Sequence, residues 1–126
     1  ITVHSVRSAK AVLEYVEAYL PPGRGKVVLH WFTGTKSEAK RAIELGCYFS
    51  INAAMFTNER HLSMINAIPK DRLLTETDGP FTRVGDRLSV PSDVALVVKV
   101  LGGINNVPVD KMTEIIRNNL RALLIK

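Results

Sequence analysis

Strand-like segments alternate with helical patterns along this sequence, and that alternation constrains the fold more than any other feature. Successive strands start about 25 residues apart, close to the ~30 residues per unit of a (β/α)8 barrel. Strands that alternate with helices pair in parallel through right-handed crossovers. Four such units predict half of a TIM (β/α)8 barrel, with an open doubly wound sheet as the alternative. The predicted strands are Ile1–His4, Lys26–His30, Cys47–Asn52 and a run that begins at Leu73.

Helical spacing of apolar residues and capping signals place the helices between the strands. Thr35 and Glu38 fit a capping box, and Gly46 suits the end of the same helix. The last helix begins near Pro108 and carries an apolar stripe of Met112, Ile115, Ile116, Leu120 and Leu123. The other predicted helices are Ser8–Leu20, Asn58–Ile68 and Pro91–Leu101, the last one stopped by Gly102-Gly103.

Length and composition predict one domain over residues 1–126, with 46% hydrophobic residues to fill a core. The sequence has no long apolar run and no cationic leader, and its single Cys47 cannot form an internal disulfide. These features predict a cytoplasmic protein without membrane contact. The net charge of +5 suits a polyanionic partner, and a solvated basic surface explains it equally well. The chain starts at Ile1 inside an apolar run, as if cut from something longer.

Polar residues follow the predicted strands where each strand ends. His4, His30, Asn52 and Asp78 occupy these positions, and catalytic side chains project from the carboxyl ends of parallel strands. Asp78-Gly79-Pro80 also suits an ordinary surface turn, and a lone histidine is more often structural. Two histidines in successive units and one aspartate nevertheless favour a shared site. Imidazole and carboxylate suit zinc, manganese, iron or nickel, and three ligands are enough for one catalytic ion.

Other candidate residues lie in the loops that follow these strands. Trp31 suits stacking on a base or, more commonly, packing under a loop. Arg83 and Arg87 follow Asp78 and suit either a phosphate contact or a solvated loop. The sequence contains no Walker-type glycine loop, Rossmann fingerprint or serine elbow. The absence of these motifs points away from nucleotide-cofactor and serine-hydrolase chemistry.

Several of these segments together resemble the TatD family of metal-dependent deoxyribonucleases, which have an amidohydrolase-like barrel. The resemblance covers nearly the whole chain and aligns it with the carboxyl-terminal half of that barrel. The segment Cys47–Ala53, with Thr75–Pro80, is most similar to the QatD branch, which is linked to anti-phage (antiviral) defence. The segments that carry the resemblance are His4-Ser5, His30–Gly34, Glu38–Gly46 and Leu73–Pro80.

The resemblance implies roles for particular residues. His4 and His30 would be metal ligands, while Asp78 would bind metal and position or deprotonate the attacking water. Glu76 would support the ligands without binding metal itself. The implied cofactors are divalent ions (magnesium, manganese or zinc), and the implied substrate is DNA. Candidate substrate-binding residues are Arg7, Trp31, Asn52, Arg83 and Arg87.

The chain also departs from the family pattern. It lacks the His-x-His pair of the family's first strand and the glutamate of its fourth. Val6 stands where the family usually has an arginine, with Arg7 one position later, and Asn52 replaces a small residue. We therefore predict a truncated piece of a longer nuclease, whose missing amino-terminal half or dimer partner covers the sheet edges. Hydrolysis of small esters or amides, and an inactive half-barrel used for assembly, are the alternatives.

Overall fold

A computed structural model describes residues 1–125 and contains a four-stranded parallel sheet. The strands lie in chain order, so each pairs with the next one along the sequence. The register places His4 beside His30, and His30 beside Ser50, so the carboxyl ends of the strands meet at one edge. The predicted parallel α/β arrangement is confirmed. The strands are β1 (Thr2–His4), β2 (Val28–His30), β3 (Tyr48–Ile51) and β4 (Leu73–Thr75).

Five α-helices follow or connect these strands within the described residues. The predicted capping box is present, because the Thr35 hydroxyl accepts from the Glu38 backbone N–H while the Glu38 carboxylate accepts from the Thr35 N–H. No helix in residues 1–125 is long and apolar enough to span a bilayer. The helices are α1 (Ala9–Tyr19), α2 (Lys36–Glu44), α3 (Glu59–Ile65), α4 (Val94–Ile104) and α5 (Val109–Leu124).

Two details of the predicted α4 segment are wrong. Pro91–Asp93 forms a 3₁₀ turn, so the α-helix begins only at Val94. At the other end, α4 runs through both glycines to Ile104. A Cβ on Gly102 would lie 3.0 Å from the Val107 carbonyl oxygen, so this glycine allows the turn into α5 to pack closely. Gly102 is therefore a packing feature rather than a helix stop, whereas a Cβ on Gly103 would meet only open space.

The stripe predicted for α5 also needs one correction. Leu120 is 46% exposed, whereas its neighbour Asn119 is buried. The Asn119 side-chain amide donates hydrogen bonds to the carbonyl oxygens of Lys70 and Leu73, each at 2.8 Å. This polar side chain thereby ties α5 to the start of β4.

The polar loop predicted after Pro80 contains a short antiparallel hairpin. Its strands are β5 (Arg83–Val84) and β6 (Arg87–Leu88), and Arg83 pairs with Leu88 in the register. The hairpin follows the segment that carries Asp78 and precedes α4. It therefore belongs to the loop region beyond the carboxyl end of β4.

The two faces of the parallel sheet bury different residues. Leu29, Phe49, Ile51 and Leu73 belong to the main core, which the helices complete. We call this the outer face. On the inner face, the alternate side chains Val28, Tyr48 and Leu74 form a separate small cluster, against which Leu123 of α5 packs. This division follows from strand geometry, because successive side chains point to opposite faces.

Candidate active site

Three of the predicted site residues meet at the carboxyl edge of the sheet. The rings of His4 and His30 have centroids 5.5 Å apart, as expected for cross-strand neighbours. The Nε2 atom of His30 lies 3.6 Å from Oδ1 of Asp78. His30 is therefore the central residue, with His4 and Asp78 each beside it.

Glu76 fixes the orientation of the His30 ring. Its Oε2 atom lies 2.6 Å from Nδ1 of His30, and an ionised carboxylate can only accept a hydrogen bond. The proton of a neutral ring is thus assigned to Nδ1, which leaves the lone pair on Nε2, the atom that faces Asp78. Carboxylate–histidine pairs of this kind orient the histidine ligands of metal sites.

Asn52 in turn positions Glu76. The Asn52 side-chain amide donates to Oε1 of Glu76 at 2.9 Å, and its own oxygen accepts from the Ala54 backbone N–H at 3.1 Å. Asn52 is completely buried, so these contacts are made away from solvent. The result is a continuous hydrogen-bonded chain from the segment after β3, through Glu76, to His30.

His30 and Asp78 provide a donor pair whose spacing fits a tetrahedral divalent ion such as zinc. Bonds of 2.0–2.2 Å at a tetrahedral angle separate two ligand atoms by about 3.4 Å, and the observed separation is 3.6 Å. Within residues 1–125, no group of three or more His, Cys, Asp or Glu side chains converges as a complete ligand cluster. The described residues thus fit part of a metal site.

The loop around Asp78 is held by close packing. Asp78 has a φ of 52°, a left-handed conformation that aspartate tolerates better than most residues. A Cβ on Gly79 would overlap the carbonyl oxygen of Ser89, so only glycine fits this approach. The Thr82 hydroxyl also donates to the Thr77 carbonyl oxygen. These contacts fasten the residues on both sides of Asp78 to the hairpin.

Arg87 makes a two-pronged ion pair with Asp93 at the base of the hairpin. Its two terminal nitrogens lie 2.8 and 2.6 Å from the carboxylate oxygens, and Val90 N–H donates to the same carboxylate at 2.7 Å. The hydrogen bonds from Arg87 and from the Val90 backbone lower the pKa of Asp93 to about 2. Both terminal nitrogens of Arg87, a predicted phosphate contact, therefore bind Asp93 instead.

The remaining candidates lie at the rim. Trp31 has a φ of 43° and packs edge-on to His30 with centroids 6.4 Å apart, while part of its side chain contacts the main core. Arg83 is exposed and donates to the Asp86 carbonyl oxygen. Arg7 is exposed and has a φ of 54°. The structure does not bring these three residues into the hydrogen-bonded network of His30.

Two residues in and after the loop that follows Asp78 were not predicted from the sequence. Asp93 accepts from the Val90 backbone N–H, but valine has no side-chain oxygen to complete a capping box, so no capping signal marked Asp93 in the sequence. Phe81 follows the Asp78 loop and is 81% exposed, but no periodic pattern marks it.

Comparison with known proteins decides the family. The family model described as TatD related DNase matches residues 1–125. The chain belongs to this family. Deoxyribonuclease Tat-D of Schizosaccharomyces pombe is 37% identical over 82 residues, which are 65% of this chain and 26% of that protein. A Klebsiella pneumoniae protein named 3'-5' ssDNA/RNA exonuclease TatD is 39% identical over 70 residues, or 51% of this chain and 27% of that protein.

Solved structures show the same fold. The TatD homolog YJJV of Escherichia coli superposes with a TM-score of 0.84 at 24% identity, covering 97% of this chain and 48% of that one. A TatD family hydrolase of Entamoeba histolytica also gives 0.84, at 17% identity, covering 98% and 50%. The chain therefore spans about half the length of these solved relatives and has the fold of a partial α/β barrel.

Proposed function

We propose that this chain supplies part of the active site of a metal-dependent hydrolase that cleaves phosphodiester bonds of DNA. Family membership supports the reaction class. The observation that carries the proposal is the His30 ring, which Glu76 orients so that Nε2 faces the Asp78 carboxylate. Such a pair suits water activation at a divalent metal better than a structural role, because neither group is needed to close the core.

His4, His30 and Asp78 are the residues that would hold the ion, which we propose to be magnesium, manganese or zinc. When bound, the ion would polarise a phosphoryl oxygen and lower the pKa of a water molecule. Asp78 would orient the attacking water and accept its proton. Glu76 would keep the proton of His30 on Nδ1, and Asn52 would keep Glu76 in place.

We further propose that the active site is completed outside the described residues. The edge strands β1 and β4 each pair with only one neighbour among the described residues. Each therefore leaves an unpaired edge that barrel closure would use. A missing amino-terminal half, or a dimer partner, would cover these edges and supply further ligands. The QatD assignment, the role in anti-phage defence, the single-domain boundary and the cytoplasmic location stay predictions.

The Asp78→Asn substitution in the intact protein tests the catalytic assignment. We expect it to abolish metal-dependent DNA cleavage, because an amide neither accepts the proton nor matches the charge of the ion. Asp110→Asn, at an exposed position of α5, is the matched control and should retain activity. Circular dichroism would check that both variants fold. Cleavage by Asp78→Asn at the wild-type rate would contradict the proposal.

The substrate class needs a separate experiment, because the ligand set follows water activation rather than substrate. The name of the Klebsiella relative points to single-stranded nucleic acid, so single-stranded DNA, double-stranded DNA and RNA should be compared with a panel of small esters and amides. We expect the fastest turnover on DNA. Faster turnover of an ester would assign the site to small-molecule hydrolysis. A folded dimer with no metal binding would instead favour the assembly role.

A further inference from the structure

A cleft of about 650 Å³ lies where the loops after β1 and β2 meet the start of α1 and the side of α3. We propose that it binds a backbone phosphate of nucleic acid next to the candidate active site. The identity of this ligand rests on the proposed function, whereas the anion-binding character rests on the cleft itself. The residues that carry the inference are Ser5, Arg7, Lys10 and Arg60.

The amino terminus of α1 opens into this cleft without a side-chain cap. Ser8 stands at the capping position, but its side chain makes no capping hydrogen bond, and the first turn contains no acidic residue. By contrast, α2 is capped by Thr35 and carries Glu38 in its first turn. The first backbone N–H groups of a helix lack partners within the helix and favour an anion.

Ser5 provides an independent indication of a ligand. The residue is only 2% exposed and lines the cleft, yet its hydroxyl has no hydrogen-bond partner among residues 1–125. A buried hydroxyl without a partner is costly, and an acceptor oxygen would satisfy it. The Ser5 Oγ atom has almost no accessible surface, so a phosphate oxygen in the cleft would accept from it once the side chain turns toward the cleft. The same phosphate would accept directly from the α1 N–H groups.

The charges around the cleft suit an anion. Arg7, Lys10 and Arg60 contribute three positive charges, and Glu14 and Glu38 contribute two negative ones. The Glu38 carboxylate is already engaged by the N–H and the hydroxyl of Thr35. The positive end of the α1 dipole adds to the cationic excess.

The position of the cleft suits a polymer rather than an isolated anion. Ser5 directly follows the candidate ligand His4, and Thr33 lies three residues after His30. A phosphate in the cleft would therefore belong to a nucleotide close to the one that reaches the carboxyl edge of the sheet. The cleft would hold the strand in register without touching the reacting atoms.

Amide NMR of the intact protein in EDTA tests this proposal without metal or turnover. Titration with inorganic phosphate, and then with a short single-stranded DNA, should shift the Ala9, Lys10 and Ala11 amides saturably. Arg60→Glu should weaken DNA binding several-fold and reduce the log–log salt slope by about 1, since one phosphate contact is lost. Lys99→Glu, at an exposed position of α4, is the charge-matched control and should leave the amide shifts in place.

Ser8→Asp gives a second variant that does not depend on destabilisation. A carboxylate at the α1 terminus should abolish the phosphate-induced shifts without lowering the melting temperature, because helix amino termini favour negative charge. The proposal would be overturned if the α1 amides did not shift, or if Arg60→Glu and Lys99→Glu lost DNA affinity equally. Binding of phosphate but not DNA would overturn the nucleic-acid assignment. If cleavage depended on Asp78 but the α1 amides did not shift, the phosphate-binding role of the cleft would be wrong and the proposed function would stand.

Discussion

Tyr48 and Phe49 are adjacent in β3 and both are buried, yet they belong to opposite faces of the sheet. Phe49, on the outer face, lies in a core that the helices of this chain complete. Tyr48, on the inner face, lies in a small cluster whose neighbours are Val28, Leu74 and Leu123. The outer face therefore supplies most of the stability, whereas the inner face carries the residues that we propose for the chemistry.

The physical reason lies in barrel geometry. The outer face of each strand needs only its own connecting helices, which this chain contains. The interior of a (β/α)8 barrel is filled by layers of side chains from alternate strands around the whole barrel. Four strands provide only part of each layer. At the carboxyl end of the inner face, the positions are occupied by polar residues such as His30 and Glu76.

The largest expected effect is on stability, at the outer face. Phe49→Ala should lower the free energy of unfolding by about 3–5 kcal/mol, because Phe49 is fully buried and packs edge-on against Phe32. Tyr48→Ala should cost less, since its cluster is smaller. Urea denaturation of both variants measures the difference. If Tyr48→Ala lowered the free energy of unfolding as much as Phe49→Ala or more, the two faces would not differ in stability as expected.

The next effect is on metal affinity, at the inner face. Glu76→Gln should weaken divalent-metal binding about 10- to 100-fold, because it removes the carboxylate that orients His30, our proposed metal ligand. The free energy of unfolding should change far less than in Phe49→Ala. Isothermal titration calorimetry with manganese or zinc measures the affinity, and Glu44→Gln, at an exposed position of α2, is the control. Unchanged affinity in Glu76→Gln would remove Glu76 from the site.

The smallest effect is a pH dependence at the rim. The pKa of Asp93 is lowered from 3.8 to about 2 in the folded protein. The stabilisation is therefore fully present above the unfolded value and is lost as the pH falls from about 4 towards 2. Asp93→Asn should flatten the melting-temperature profile across this interval. A profile identical to that of the wild type would show that the Arg87–Asp93 pair contributes nothing there.

The elements that local signals encode were predictable. The capping box of Thr35 and Glu38 predicts the start of α2, because these two residues lie within one stretch of four positions in the chain. The end of α4 was not predictable, since Gly102 is placed by its approach to the Val107 carbonyl oxygen after the chain turns back. Local glycine chemistry favoured a stop, and tertiary packing overrode it.

The candidate site divides in the same way. The sequence alone determined that His4, His30 and Asp78 follow strand-like runs, because hydrophobic pattern and turn chemistry are local properties. Only the tertiary structure decided that Glu76 contacts Nδ1 of His30, 46 residues away, and that Asn52 contacts Glu76, 24 residues away. Those contacts depend on the register between strands and on side-chain direction, which no local pattern encodes.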